Sequence, residues 1–215
     1  HNKFSYTEYK DIILLIQANL PILDYKEVSK ATERFCVIRH DVEFSVDRAF
    51  NLALIEQDLG IQTSYMFQIR NNCYNTFSDI NLKKINAIAD MGHHIGLHAH
   101  MSGLRNINNI NLYIQNDIKI LSNLLGLKIN RFSFHRPKKD HLEKYFHLTN
   151  NLKNLNITYL ADSQHKWNYG YPADLDFTKT NKLQLLTHPY SWSKKGLDNK
   201  ENFRILLSEK DKELR

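Results

Sequence analysis

Five times along this chain a short apolar run ends on residues that can carry charge or hold a proton. Phe35-Cys36-Val37-Ile38 runs into Arg39-His40-Asp41-Val42-Glu43. Met91-Gly92-His93-His94-Ile95-Gly96-Leu97-His98-Ala99-His100 places four of the eleven histidines within eight residues. Arg131-Phe132-Ser133-Phe134-His135-Arg136-Pro137, Tyr159-Leu160-Ala161-Asp162-Ser163 and Leu185-Leu186-Thr187-His188-Pro189 follow the same pattern. Helical signals lie between these runs. A first helix is expected at about Tyr6 to Ala18. Ser45 reads as the N-cap of a helix to Leu59 that Gly60 closes, and Ser78 as the cap of one through Asp90, before Gly92. Ile114, Ile118, Leu121 and Leu125 recur at helical spacing ahead of Gly126. Strands are expected at 35–38, at 61–67, over the histidine segment, and at 132–134, 157–160 and 183–187, with a helix between 134 and 157. Repeated β-then-α units imply a parallel sheet with right-handed crossovers. In a β/α barrel the C-terminal ends of the strands converge on one face, where sites are built. The polar residues fall at those ends.

Side chains on a strand alternate faces, so Asp41 and Glu43 point the same way. Two adjacent carboxylates in an enclosed site repel unless a cation or a shared proton separates them. The plainer alternative is a solvated loop after a strand. Within the histidine segment His94, His98 and His100 share a face, but His94 and His100 lie roughly 20 Å apart along a strand. That leaves His98 and His100 as the pair able to meet one ion, while His93 and His94 serve the turn at Gly92. Imidazoles with carboxylate oxygens suit zinc or a similar divalent metal.

At 215 residues the chain can build one sizeable core, and no shift in composition divides it. A single domain over 1–215 is expected, with a helical extension at about 1–33. The formal charge of +6 comes without a dense basic run or interleaved aromatics, which argues against nucleic-acid binding. A positive surface would favour an anionic sugar by steering. Cys36 and Cys73 read as buried free thiols, with a disulfide left open. The apolar run Ile12–Ile16 falls short of the ~20 residues that span a bilayer, and no cleavage site adjoins it. A cytoplasmic location is the expectation, and a chain opening on His1 rather than Met leaves room for residues upstream. Seven glycines form no phosphate-cradling loop, and no Gly-x-Ser-x-Gly elbow occurs, which argues against kinases, NTPases, nicotinamide enzymes and serine esterases.

The order of the five segments resembles that of the NodB-type polysaccharide deacetylases, carbohydrate esterase family 4 and its relatives, over roughly Phe35 to Pro189. The nearer branch is the one with an "RHDVD"-like first motif. Two departures stand out: Val42 separates acids that are usually adjacent, and Ser102 occupies the place four after His98 where a second histidine is usual. The resemblance implies a distorted, incomplete (β/α) barrel, in keeping with fewer than eight strands. It assigns Asp41 as base and Glu43 as metal ligand, roles that could be exchanged. His98 is the histidine ligand, with His100 or water completing the set around a divalent ion, zinc or another transition metal. His188 is the general acid, near neutral in its pKa. Arg136 matches the arginine that orients the base, and Asp162 the aspartate that tunes the acid. His135 has no counterpart and is open to three roles: substitute ligand, substrate contact or structural histidine. Trp167 and Trp192 are candidate walls for an acetyl group or a sugar face, or else core aromatics. Arg39, inward with Asp41, reads as its buried charge partner.

The leading expectation is a metal-dependent hydrolase removing an acetyl group from an N-acetylated or O-acetylated sugar, in surface-polysaccharide or sugar-nucleotide metabolism. The alternatives are hydrolysis of another C–N bond, in a cyclic ureide or imide, and a sugar-binding protein whose metal site has decayed.

Overall fold

Ser5, Ser45, Ser78 and Asp198 each accept a hydrogen bond from the backbone amide three residues on, and a helix starts at each. The computed structural model describes residues 4–28, 33–141 and 156–214. The helices so capped are α1 (Tyr6–Asn19), α2 (Val46–Asp58), α3 (Asp79–Asp90) and α5 (Asn199–Glu213). The long amphipathic helix α4 (Ile110–Leu125) stops at Gly126, whose φ of +66° is a conformation glycine adopts without penalty. The helix expected between 134 and 157 falls largely outside the described residues.

The strands are β1 (Phe35–Val42), β2 (Ser64–Phe67), β3 (His94–His100), β4 (Phe132–His135), β5 (Thr158–Ala161) and β6 (Lys182–Thr187). All pairings among them are parallel, in the order β4-β3-β2-β1-β6-β5. The sheet curls into a half-barrel with helices outside, an incomplete α/β barrel. β1 continues past Ile38 through Val42, so Arg39 and Asp41 project from the strand itself. β2 begins at Ser64, later than the apolar run from Ile61 indicates. Gly96 in β3 lies where a Cβ would crowd Met66 Sδ and Arg131 Cγ, so any side chain there requires both neighbours to shift.

Both faces of β1 are buried, as a parallel sheet covered by helices requires. Cys36 and Ile38 meet the apolar face of α1, where Tyr9, Ile12, Ile13 and Ile16 also pack with Leu183, Leu185 and Trp192. Each fully buried isoleucine there contributes about 1.5–3 kcal/mol over exposure. The helix of the N-terminal stretch is thus docked on β1 and β6. Further along β1, His40 faces outward toward α2. Its Nε2 lies 2.9 Å from Glu56 Oε1, a carboxylate with no exposure that also accepts from Tyr9, Thr63 and Tyr65 hydroxyls. Burial would raise the Glu56 pKa, but His40, His93 and Tyr65 bring it down to about 2. Cys36 and Cys73 are both free thiols.

Candidate metal centre and active site

The register of β3 against β4 places His98 beside Ser133 and His100 beside His135. From there the side chains converge on Glu43, just past the end of β1. Glu43 Oε1 lies 2.8 Å from His135 Nδ1 and 3.4 Å from His98 Nε2, and the two ring nitrogens are 3.2 Å apart. Bonds of ~2.0–2.1 Å to a tetrahedral ion would set ligand atoms about 3.3 Å apart. Two of the separations match that spacing, and the third is the length of a hydrogen bond. Among the described residues this is the group of histidine and acidic side chains that could hold a metal.

The proton count supports the fit. Ser133 Oγ–H donates to Asp41 Oδ1 at 2.9 Å, and a hydroxyl has one proton to give. His98 Nδ1 sits 2.7 Å from Ser133 Oγ and must therefore be the donor in that contact. In the neutral ring its Nε2 is then bare, with a lone pair turned toward Glu43 and His135. A ligating histidine held through its other nitrogen is the usual outer-shell arrangement of metal sites. The Glu43 carboxyl lies well below its ordinary range: burial opposes this, but hydrogen bonds to His135 and His98 and the nearby His188 outweigh it.

Asp41 is 3% exposed and ionised. Burial would raise its pKa, but the Arg39 guanidinium, then His98, His188 and the Ser133 hydroxyl, hold it below the usual range. Arg39 donates to Asp41 Oδ2 at 3.1 Å, as its inward position indicates. Across the site, His188 Nδ1–H donates to Asp162 Oδ1 at 2.7 Å, leaving Nε2 at 4.0 Å from Glu43 Oε1. Asp162 is fully buried and also accepts from the His188 backbone amide and from Trp192 Nε1. Desolvation disfavours the imidazolium, yet the Asp162 hydrogen bond and charge, then Glu43 and Asp41, raise the His188 pKa to about 9.

Several expected roles land elsewhere. His100 does not join the three-residue group. It ends β3 as the cap of the 3-10 turn Met101–Gly103, its Nδ1 accepting from the Ser102 amide, and its ring stacks on His135 with centroids 4.9 Å apart. His135 takes the place beside Glu43 instead. Arg136 forms no ion pair with Asp41, whose guanidinium partner is Arg39. Trp192 has no exposure and bonds Asp162, and Trp167 packs in the α1 cluster, so neither lines the cavity. Ser133 was not singled out by sequence, although its position two before His135 puts both on one face of β4.

A cavity of about 590 Å³ opens over Asp41, Glu43, His98 and His188, walled by Phe44, Phe134, Tyr159 and Tyr190. A second, of about 480 Å³, adjoins it and shares Glu43, Phe44 and Arg136. No helix among the described residues is long and apolar enough to cross a membrane.

The sequence matches no family model, and no curated protein matches it. In fold, the chain is similar to proteins of carbohydrate esterase family 4. One is a family 4 carbohydrate esterase from Bacillus anthracis, 13% identical, with 96% of this chain and 86% of that one covered and a TM-score of 0.46. A second is a family 4 acetyl xylan esterase from Clostridium thermocellum in complex with a cobalt ion, 11% identical, with 83% and 84% covered and a TM-score of 0.44. A third is a CE4 family pseudoenzyme from Bacillus anthracis, 11% identical, with 85% of this chain covered and a TM-score of 0.47. This chain covers 62% of that pseudoenzyme's length, less than two thirds.

Proposed function

We propose that this protein is a metal-dependent hydrolase that removes an acetyl group from an N-acetylated or O-acetylated sugar. The observation that carries the reading is the convergence of Glu43, His98 and His135 within reach of His188, which is paired with Asp162 and lines the same cavity as Glu43 and His98. A divalent ion held by those three residues, zinc or a similar transition metal, would when bound polarise an acetyl carbonyl and lower the pKa of water. The remaining chemistry belongs to the chain. Asp41, ionised and fixed by Arg39 and Ser133, accepts a proton from the attacking water. His188, kept protonated by Asp162, donates from Nε2 to the departing amine or alcohol, and acetate is released. Trp192 positions the pair by donating to the second Asp162 oxygen.

The test is acetate release from a panel of N-acetyl and O-acetyl sugars, with chelation and metal restoration as controls. Release that stops on chelation and returns with the ion is the expected result. Activity surviving both chelation and His188→Ala would refute the mechanism. Silence across the panel with metal fully bound would refute the deacetylase reading, in favour of C–N ring opening or sugar binding alone.

A further inference from the structure

Hydrolysis leaves Arg136 and Lys166 without a task. Arg136 follows β4 and Lys166 follows β5, the two edge strands of the sheet, yet both line the 590 Å³ cavity. The curl of the half-barrel therefore brings its two open edges to a common space, each edge presenting one cation. The acids lining that cavity are Asp41 and Glu43, and both are engaged, Asp41 with Arg39 at 3.1 Å and Glu43 with His135 at 2.8 Å. Neither Arg136 nor Lys166 has an ion-pair partner among the described residues. The task that the family resemblance gives to Arg136, holding the base, is performed by Arg39.

The backbone fixes both positions at a cost. Arg136 has φ +46°, and Lys166 follows Gln164 and His165 at +58° and +59°. L-residues persist there only where the surroundings hold them. His165 supplies the hold on one side: it is 6% exposed, its Nε2 lies 2.8 Å from the Leu197 carbonyl, and its ring sits 4.1 Å from Phe4. Cations placed on held loops over a reaction site fit an anionic partner, and the guanidinium fork matches a carboxylate or phosphate in particular.

We propose that Arg136 and Lys166 form a clamp, closed from the two edges of the sheet, that selects substrates carrying a carboxylate or a phosphate near the acetylated position. The sugar part of this inference rests on the deacetylase reading; the anion site does not.

Two sets of measurements on the full metal-loaded chain test it. Calorimetric titration with inorganic phosphate compares wild type with Arg136→Gln, Lys166→Gln and, as a control outside the cavity, Lys83→Gln. Each of the first two is expected to weaken phosphate binding about tenfold or more, and the control to leave it unchanged. Phosphate held by the metal alone would be insensitive to both. The second set compares a neutral N-acetyl hexosamine with the same sugar bearing a phosphate and with one bearing a carboxylate. Charged sugars are expected to bind about tenfold tighter, an advantage that shrinks with salt and in both variants and is partly restored by Arg136→Lys. Equal phosphate affinity in wild type and both variants overturns the clamp, as does a neutral sugar binding as tightly as the charged ones. A working clamp without acetate release upholds this inference and removes the deacetylase reading instead. Acetate release without any preference for charge does the reverse.

Discussion

Asp162→Asn tests the link between the buried carboxylate and the acid on which turnover depends. The pKa of His188 rises from 6.5 to about 9, chiefly through Asp162 acting against desolvation, which corresponds to roughly 3 kcal/mol in favour of the imidazolium. Because the folded value is the higher one, this stability is fully present below about 6.5 and is lost as pH rises through about 9. In the asparagine variant the anion is gone. The gap in unfolding free energy between wild type and variant should therefore be widest in mild acid and narrow as pH passes about 9. A pH-independent remainder should persist. Asp162 accepts from the His188 amide, His188 Nδ1 and Trp192 Nε1, and an asparagine must turn its own N–H₂ toward one of those donors. That mismatch costs about 1–3 kcal/mol. Urea denaturation of the metal-free chain across this pH range measures both parts, and the alkaline limb of the pH–rate profile of the metal-loaded chain should move to lower pH. A stability gap constant with pH, together with an unmoved alkaline limb, would refute the coupling.

Ser133→Ala removes the hydroxyl through which Asp41 orients His98, and should weaken metal binding about 10–100-fold in competition with a chelating dye; unchanged affinity would dispose of the relay. Trp192→Phe leaves one oxygen of a fully buried carboxylate without its indole donor, and should lower both stability, by about 1–3 kcal/mol, and turnover. Glu56→Gln breaks the buried contact with His40 and should cost about 3–5 kcal/mol in chemical denaturation. The Glu56 pKa is depressed to about 2, so its contribution is present above about 4.5 and is lost as pH falls through about 2. The deficit of the glutamine variant should accordingly shrink in strong acid; a deficit independent of pH would point to packing alone.

Much of this was legible in the sequence, and what was not depends on neighbours that a linear reading cannot supply. The serine caps, the glycine stops and the β/α alternation are local signals, and they located α1 to α4 and the parallel sheet to within a few residues, while α5 was not read from the sequence. Strand alternation likewise put Asp41 and Glu43 on one face and His98 at a strand end. Alternation makes His98 and His100 equivalent as candidate ligands, whereas the strand beside β3 distinguishes them. β4 brings Ser133 against His98 and His135 against His100, so His135 stacks on His100 and reaches over to His98. His100, at the last position of its strand, is drawn into capping the next turn. The pairing of Arg39 with Asp41 was legible, since the two are two residues apart on one strand face and meet without help from β4. Trp192 was open in the sequence to a wall or a core role, and the 3-10 turn Pro189–Ser191 carries it to Asp162 in the interior.

The central claim is that Glu43, His98 and His135 hold one divalent ion, and metal stoichiometry in paired histidine variants tests it most directly. Wild type, His135→Ala and His100→Ala are each loaded with zinc, desalted and assayed for metal per folded chain by elemental analysis. The geometry predicts one ion in wild type, near-complete loss in His135→Ala and retention in His100→Ala. Metal retained by His135→Ala but lost from His100→Ala would contradict the site described here.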